Sequence, residues 1–478
     1  MRITMKFHIE NLGKIKQADI EVNDLTIICG PNSASKTWLS YSIYHHLNSI
    51  FNLSTFFGLN HDVFTYDSYG KIDIESEKFQ NELSMLIETS FDNSNSMLHK
   101  TFNTFESIFE KSIVSILDTA NYTKIITEKL KDIEINLGIA NHPTRIQKEK
   151  DSYIIDVLYT EDEKSEEENT LSNKSAIAIL LSASISSNLS RSGIELPNRP
   201  FVITSERVGS LVFQKDIDGT ALSIKESLES LMEEHAENNE INSIIMQLNK
   251  LTIGNRASLA IPVRKNLLAV RNADSELKKQ SYLAKEHPYV SDALNDIVKG
   301  KFTVDNGTLV FSSNDDNHQL PITITSSSIK SLFMIDLYIN SLAKKGDVLL
   351  IDEPELNLHP DNQRLMAKVI TRIANSGIKV LITTHSDYLI REINNAISLS
   401  NDFENKNKLL EEYNYLEQDV LKQSQVSAYS VSNTGKVSEM NITNFGIDDS
   451  IFDNIIDEAN QRQEDIMYAV DPSLFEDE

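Results

Sequence analysis

Cysteine is nearly absent. Cys29 is the only one in 478 residues, which excludes an internal disulfide framework and any multi-cysteine metal site and suits a reducing compartment. Its place at the end of the apolar run LTIIC reads as a small buried residue. Long apolar runs are missing too. The amino terminus, MRITMKFHIE, has no apolar signal core. The nearest approach to a membrane span, AIAILL at 176–181, is far short of the roughly 18 apolar residues a crossing helix needs. A cytoplasmic protein with no membrane partner is expected. Basic charge is scarce: 45 Lys and Arg against 71 Asp and Glu give a formal net charge of −26. Such a field repels polyanions on average, so nonspecific coating of nucleic acid is not expected and any DNA or RNA contact needs a local basic patch.

What is present is a globular composition, 40% hydrophobic and 24% charged, in a chain long enough for two or three domains. Residues 3–29 alternate as three short strands, broken at Asn11 to Gly13 and at Asn23-Asp24. The third, LTIICG, is apolar throughout, as in a strand covered on both faces, and runs straight into GPNSASKT at 30–37. Beyond Thr37 the apolar residues recur at helical spacing, so the loop sits between a strand and a helix. That context suits a phosphate-binding loop, G-x-x-x-x-G-K-[ST], with Gly30, Lys36 and Thr37 in register. Pro31, Asn32, Ser33 and Ala34 fill the loop, and Ser35 stands where the second glycine belongs. A serine at 33 or 35 adds a Cβ and costs on the order of 1 kcal/mol where positive φ is required. ATP binding with slow hydrolysis is the expectation.

Three further segments add chemistry. DVLLIDEPELNLHP (347–360) ends an apolar strand in Asp352-Glu353, which puts two carboxylates at the carboxyl edge of a parallel sheet, where open α/β folds bind ligands. Asp352 is suited to hold Mg²⁺ together with the Thr37 hydroxyl, and Glu353 to polarise an attacking water. KVLITTHSDYLI (379–390) carries His385 just past another strand. It is either a hydrogen-bonded structural residue or a group that touches the γ-phosphate or the attacking water. PITITSSSIKSLFMIDLYI (321–339) opens an apolar helix on Ser326 to Ser328, read either as a simple N-cap or as an anion-binding helix start.

In this order the four segments resemble the ABC-type ATPases of the SMC, Rad50 and RecF class, over roughly 3–50 and 302–395. The resemblance implies an α/β ATPase head with a mixed β-sheet and P-loop, interrupted by helical insertions. It makes Gly30 to Thr37 the Walker A loop, Asp352 the Walker B aspartate, Glu353 the catalytic glutamate and His385 the switch histidine. Asn357 falls at the D-loop, and Ser326 and Ser328 at a signature motif with serines where Ser-Gly-Gly is usual. It also implies ATP sandwiched in a head-to-head homodimer or higher oligomer. The wording of IDEPELNLHP and TTHSDYLI looks like the compact ATPases of bacterial anti-phage systems, namely Septu, PARIS and the ATPase half of overcoming-lysogenization-defect nucleases. ITSERVG (203–209) is similar to the "ERxG" segment of that group, with Arg207 a candidate nucleotide or partner contact.

The implied organisation is an ATPase core in three pieces, 1–51, 199–213 and 301–396. A mostly helical insert at 52–198, with an acidic linker at 160–169, and a helical arm at 214–300 interrupt it. An accessory segment at 397–478, with a hairpin at 427–440, follows. A sensor and scaffold acting on a separate effector in trans, under a phage-derived trigger, is the leading reading. A RecF-like DNA maintenance ATPase is the alternative, and PVRKNLLAVRNADSELKKQ (262–280) is its one obvious basic stretch. A self-contained RNase needs an Arg/Glu/Lys/His cluster that the tail does not offer.

Overall fold

The computed structural model describes residues 5–51, 71–117, 119–131, 134–138, 144–159, 199–215, 217, 259–315, 318–448 and 450–470. Among the described residues the strands are β1 (Met5–Leu12), β2 (Ile15–Val22), β3 (Leu25–Cys29), β4 (Lys71–Asp73), β5 (Ile113–Ile116), β6 (Ile135–Gly138), β7 (Thr144–Lys148) and β8 (Ile154–Tyr159), then β9 (Pro200–Ile203), β10 (Gly300–Asp305), β11 (Thr308–Ser313), β12 (Gln319–Pro321), β13 (Val348–Asp352), β14 (Lys379–Thr384), β15 (Val426–Val431), β16 (Val437–Glu439), β17 (Ile442–Thr443) and β18 (Gly446–Ile447). Among the described residues, the longer helices with defined bounds are α1 (Lys36–Phe51), α2 (Glu77–Ser96), α3 (Thr119–Lys131), α4 (Ile261–Arg271), α5 (Pro288–Val298), α6 (Ser327–Leu337), α7 (Pro360–Asn375), α8 (Asp387–Ser398) and α9 (Ser450–Val470).

The centre is a six-stranded sheet in the order β16-β15-β3-β14-β13-β9. All neighbours pair parallel except the β15–β16 edge. Strand side chains alternate between faces, and here both faces are apolar. Ile28, Leu350, Leu381 and Tyr429 join one core with α1 and the antiparallel sheet β2-β1-β5. Ile27, Leu349, Ile382 and Ala428 join the other with α5, α6, α7 and α8. This two-sided burial is why LTIIC and VLLI carry no polar alternation. It also aligns the carboxyl ends of β3, β13 and β14 along one edge.

Two features extend the architecture beyond the sequence reading. The segment 52–198 carries a four-stranded sheet, β4-β8-β7-β6, besides its helices, and β5 from the same segment pairs with β1. Strands of three to six residues are too short for their alternation to stand out from irregular helical spacing. The core also continues past 396, because β15 lies beside β3 inside the central sheet. Its hairpin with β16 follows the expected 427–440 turn. The buried ion pair of Arg372 with Asp419, at 2.6 Å, holds the connecting segment against α7. The hairpin expected at 302–311 is β10–β11. The acidic run at 160–169 and the amphipathic stretch 221–251 lie outside the described residues. Among the described residues, no helix is long and apolar enough to cross a membrane.

Candidate functional site

The loop 30–35 leaves β3 at its carboxyl end and feeds α1, whose first turn points N–H groups at the loop. α1 is buried nearly all round, through Leu39, Ile43, Tyr44 and Leu47 and also through His45 and His46. Each imidazole has polar neighbours at both ring nitrogens: Thr101 Oγ1 and the Ser94 carbonyl for His45, the Ser42 carbonyl and Asn95 Oδ1 for His46. Burial pushes His46 down to about 3, so it is neutral. A helix held this firmly gives Lys36 and Thr37 a fixed origin.

Within the loop Ser33 has φ 62° and Ser35 has φ 73°, the left-handed region in which glycine is the unstrained residue. The serines therefore occupy the two conformations for which the glycines are missing. Ser35→Gly is expected to stabilise the chain by up to about 1 kcal/mol, because relief of left-handed strain outweighs the added freedom of the unfolded chain. A urea midpoint raised at unchanged m-value checks it. A midpoint that falls would show the serine conformation to be unstrained.

Lys36 is buried, and its Nζ donates to the carbonyls of Gly30 at 2.8 Å and Pro31 at 2.9 Å. Burial lowers its pKa, and Glu353, Asp352 and Glu355 oppose that shift by their charge. The Thr37 hydroxyl donates to the Asp352 carboxylate, 3.1 Å to Oδ2. The Thr383 hydroxyl, one strand over, donates to Asp352 Oδ1 as well. Burial raises the Asp352 pKa while these hydroxyls lower it. A cation beside that carboxylate would remove the desolvation penalty.

Glu353 follows directly, with φ 50°. Its amide donates to the Thr383 carbonyl at 3.0 Å. His385 Nδ1 lies 3.5 Å from Glu353 Oε1 and 3.5 Å from Glu355 Oε1. The imidazole beside it holds the Glu353 carboxyl below the usual range against the pull of burial. Reciprocally, Glu353 raises the His385 pKa above 6.5. Glu355 is buried, accepts from Thr384 Oγ1 at 2.7 Å and from the His385 amide at 2.9 Å, and keeps Oε2 without a partner among the described residues.

Lys36, Thr37, Asp352, Glu353 and His385 thus share one edge of the sheet. Pro31, Asn32 and Ser33 are exposed at its rim, and Ala34 is buried beneath. The set contains an ammonium able to pair with phosphate, a hydroxyl and carboxylate of the hard-oxygen kind that Mg²⁺ takes, and a carboxylate backed by an imidazole. Ser326, Ser328 and Asn357 are not joined to this set by any hydrogen bond among the described residues. Ser326 is the N-cap of α6 and accepts from the Ile329 amide at 3.2 Å. Asn357 is exposed with φ 61°.

Sequence reasoning missed Glu355 and Thr383. Both stand next to noted residues, but their roles depend on β13 and β14 pairing in register, Asp352 opposite Thr383. Arg207, a candidate nucleotide or partner contact by the resemblance, is turned into the interior of its own chain. It is 0% exposed and bonded to backbone carbonyls of its own chain.

Among curated proteins, one of Listeria monocytogenes serotype 4b (strain F2365), named as an ABC transporter ATP-binding protein, is 39% identical over 80 residues. The matched stretch spans 16% of this chain and 30% of that relative's length. Among solved structures, the Smc head domain with an extended coiled coil, bound to the C-terminal domain of ScpA and derived from Pyrococcus furiosus, aligns with TM-score 0.30 and 10% identity over 98% of this chain and 100% of that one. A SmcHead bound to the C-winged helix domain of ScpA aligns with TM-score 0.32 and 11% identity over 92% and 97%. Likenesses this distant say nothing of function. The family model of the AAA ATPase domain matches residues 1–390, most of the chain and both halves of the site, and the chain belongs to that family.

Proposed function

We propose that this chain binds ATP and hydrolyses it slowly, as the sensor and scaffold subunit of a bacterial anti-phage defence complex that restrains a separate nuclease or toxin. The observation that carries the nucleotide part is the convergence of Lys36, Thr37, Asp352, Glu353 and His385 on one sheet edge. In this reading Lys36 leaves its own loop carbonyls for the β- and γ-phosphates. Thr37 and Asp352 hold Mg²⁺, which neutralises phosphate charge when bound. Glu353 orients and deprotonates water, and His385 steadies Glu353. Ser326, Ser328 and Asn357 would act across a two-fold interface on the ATP of a second copy. Their exposed or half-exposed positions agree with that.

The anti-phage assignment is supported by the wording of the 347–360 and 379–390 segments and by the −26 charge, which suits a protein partner better than DNA. The basic stretch of the alternative reading is partly neutralised from within: Lys278 pairs with Asp274 at 2.9 Å and Lys279 with Glu276 at 2.7 Å. Nucleotide occupancy would favour one dimer geometry, which the partner reads. The test is Lys36→Ala. Loss of a buried charge-assisted contact is expected to weaken ATP binding roughly 10- to 100-fold and to abolish protection of a culture against phage. Full protection by this variant would show that the defence role does not run through ATP.

A further inference from the structure

Glu353 is held in a backbone conformation that an L-residue avoids, at φ 50°. Such residues persist only where their surroundings fix them from several sides. Here the amide of Glu353 is taken by the Thr383 carbonyl. The peptide carbonyls on either side of it are taken by one guanidinium: Arg207 Nη1 donates to Asp352 O at 2.9 Å and Nη2 to Glu353 O at 2.8 Å. The same side chain is anchored at its other edge. Nε donates to Ser331 O in α6 at 2.9 Å, and Nη1 also reaches Thr204 O at 3.2 Å.

We propose that Arg207 is a positioning residue for hydrolysis, whose planar fork clamps the Asp352-Glu353 turn in its left-handed geometry and ties it to α6. The inference rests on Glu353 acting on the attacking water. A charge placed here only to offset carboxylates would pair with one of them. All the hydrogen bonds of Arg207 go instead to carbonyls, and they come from β13, the turn after β9 and α6, which no other side chain links in this way among the described residues. Burial brings its pKa down to about 10, so the fork stays charged and fully donating at neutral pH. Lysine has a single donor centre, with no planar fork to span two successive carbonyls.

The experiment is steady-state ATP hydrolysis and fluorescent-ATP binding by the full chain carrying Arg207→Lys, alone and combined with Glu353→Gln. The expected result is kcat at least tenfold lower, KM and ATP affinity within twofold of the parent, and no further fall when the change is added to Glu353→Gln. A kcat within twofold of the parent overturns the proposal. So does an added loss on top of Glu353→Gln, or a parallel loss of ATP affinity. Arg207→Ala would leave a cavity and unpaired carbonyls, so it is not used. Should Arg207→Lys melt more than about 10 °C below the parent, Arg207→Gln replaces it. Loss of ATP binding together with kcat in both variants then counts against a positioning role. Parental turnover in Glu353→Gln alone would remove the reading beneath the proposal, a result distinct from all of these.

Discussion

Glu353→Gln is expected to lower ATP turnover by a factor on the order of 1,000, the usual worth of a positioned general base, while ATP binding stays close to that of the parent. Glutamine keeps the size and the backbone bonds, so the turn held by Thr383 and Arg207 has no reason to move. What is lost is the carboxylate that faces His385 at 3.5 Å. The pH profile gives a second readout. The His385 imidazole beside it lowers the Glu353 pKa, so its carboxylate persists below pH 4.5 and the acid limb of the parent's turnover lies there. The Glu353 contribution to stability is present above pH 4.5 and is lost as pH falls through the lowered value. The raised His385 pKa has the opposite sign: its contribution is complete below pH 6.5 and is lost as pH rises through the higher value. In Glu353→Gln the main cause of that rise is gone. The His385 titration, followed by NMR, should move back toward 6.5. Turnover within tenfold of the parent would mean that another group activates the water, with Glu355 the nearest candidate.

How far the residues announce this site varies with how local the signal is. The P-loop lies within eight consecutive residues, and the aspartate-glutamate pair ends an unbroken apolar strand, so both could be read from the chain. His385 could be placed but left with two roles, because a histidine after a strand does not say what faces it. Glu355 could not be singled out. In the sequence it is one more acid in DEPEL, and only the register of β13 on β14 turns it inward against Thr384 and the His385 amide. Arg207 could be noticed but its partners could not, because only the folded chain sets its guanidinium on the carbonyls of Asp352, Glu353 and Ser331. β15 could be read as a hairpin strand, but its place in the central sheet could not, because VSAYSV does not show that β3 pairs along one edge of it and that both faces are buried.

Gly30→Ala is expected to be the most damaging single change to the fold around the site, costing about 3–5 kcal/mol. Gly30 has φ 148°, and a Cβ built on it would stand 2.2 Å from the Val431 carbonyl oxygen and 3.2–3.3 Å from the carbonyl carbon and amide of the same residue. These are backbone atoms of a strand inside the central sheet, so no rotamer change relieves the clash. Either β15 moves away from β3 or the loop lifts. The first breaks a parallel ladder from Val426 to Ser430, and the second withdraws the Gly30 carbonyl that Lys36 uses. Overpacking of this kind costs about 1–3 kcal/mol and backbone strain another 1–3, against a total stability of about 5–15 kcal/mol. Gly377→Ala is the control. Its φ of 88° is strained as well, but a Cβ there meets nothing within 4 Å, so only the strain of about 1–2 kcal/mol applies. Urea unfolding of both variants separates the two contributions. If Gly30→Ala costs no more than Gly377→Ala, the glycine is there for phosphate approach alone. The larger cost would instead mean that the glycine seats the carboxyl-terminal hairpin against the P-loop, so that the residues after 396 help to shape the nucleotide site.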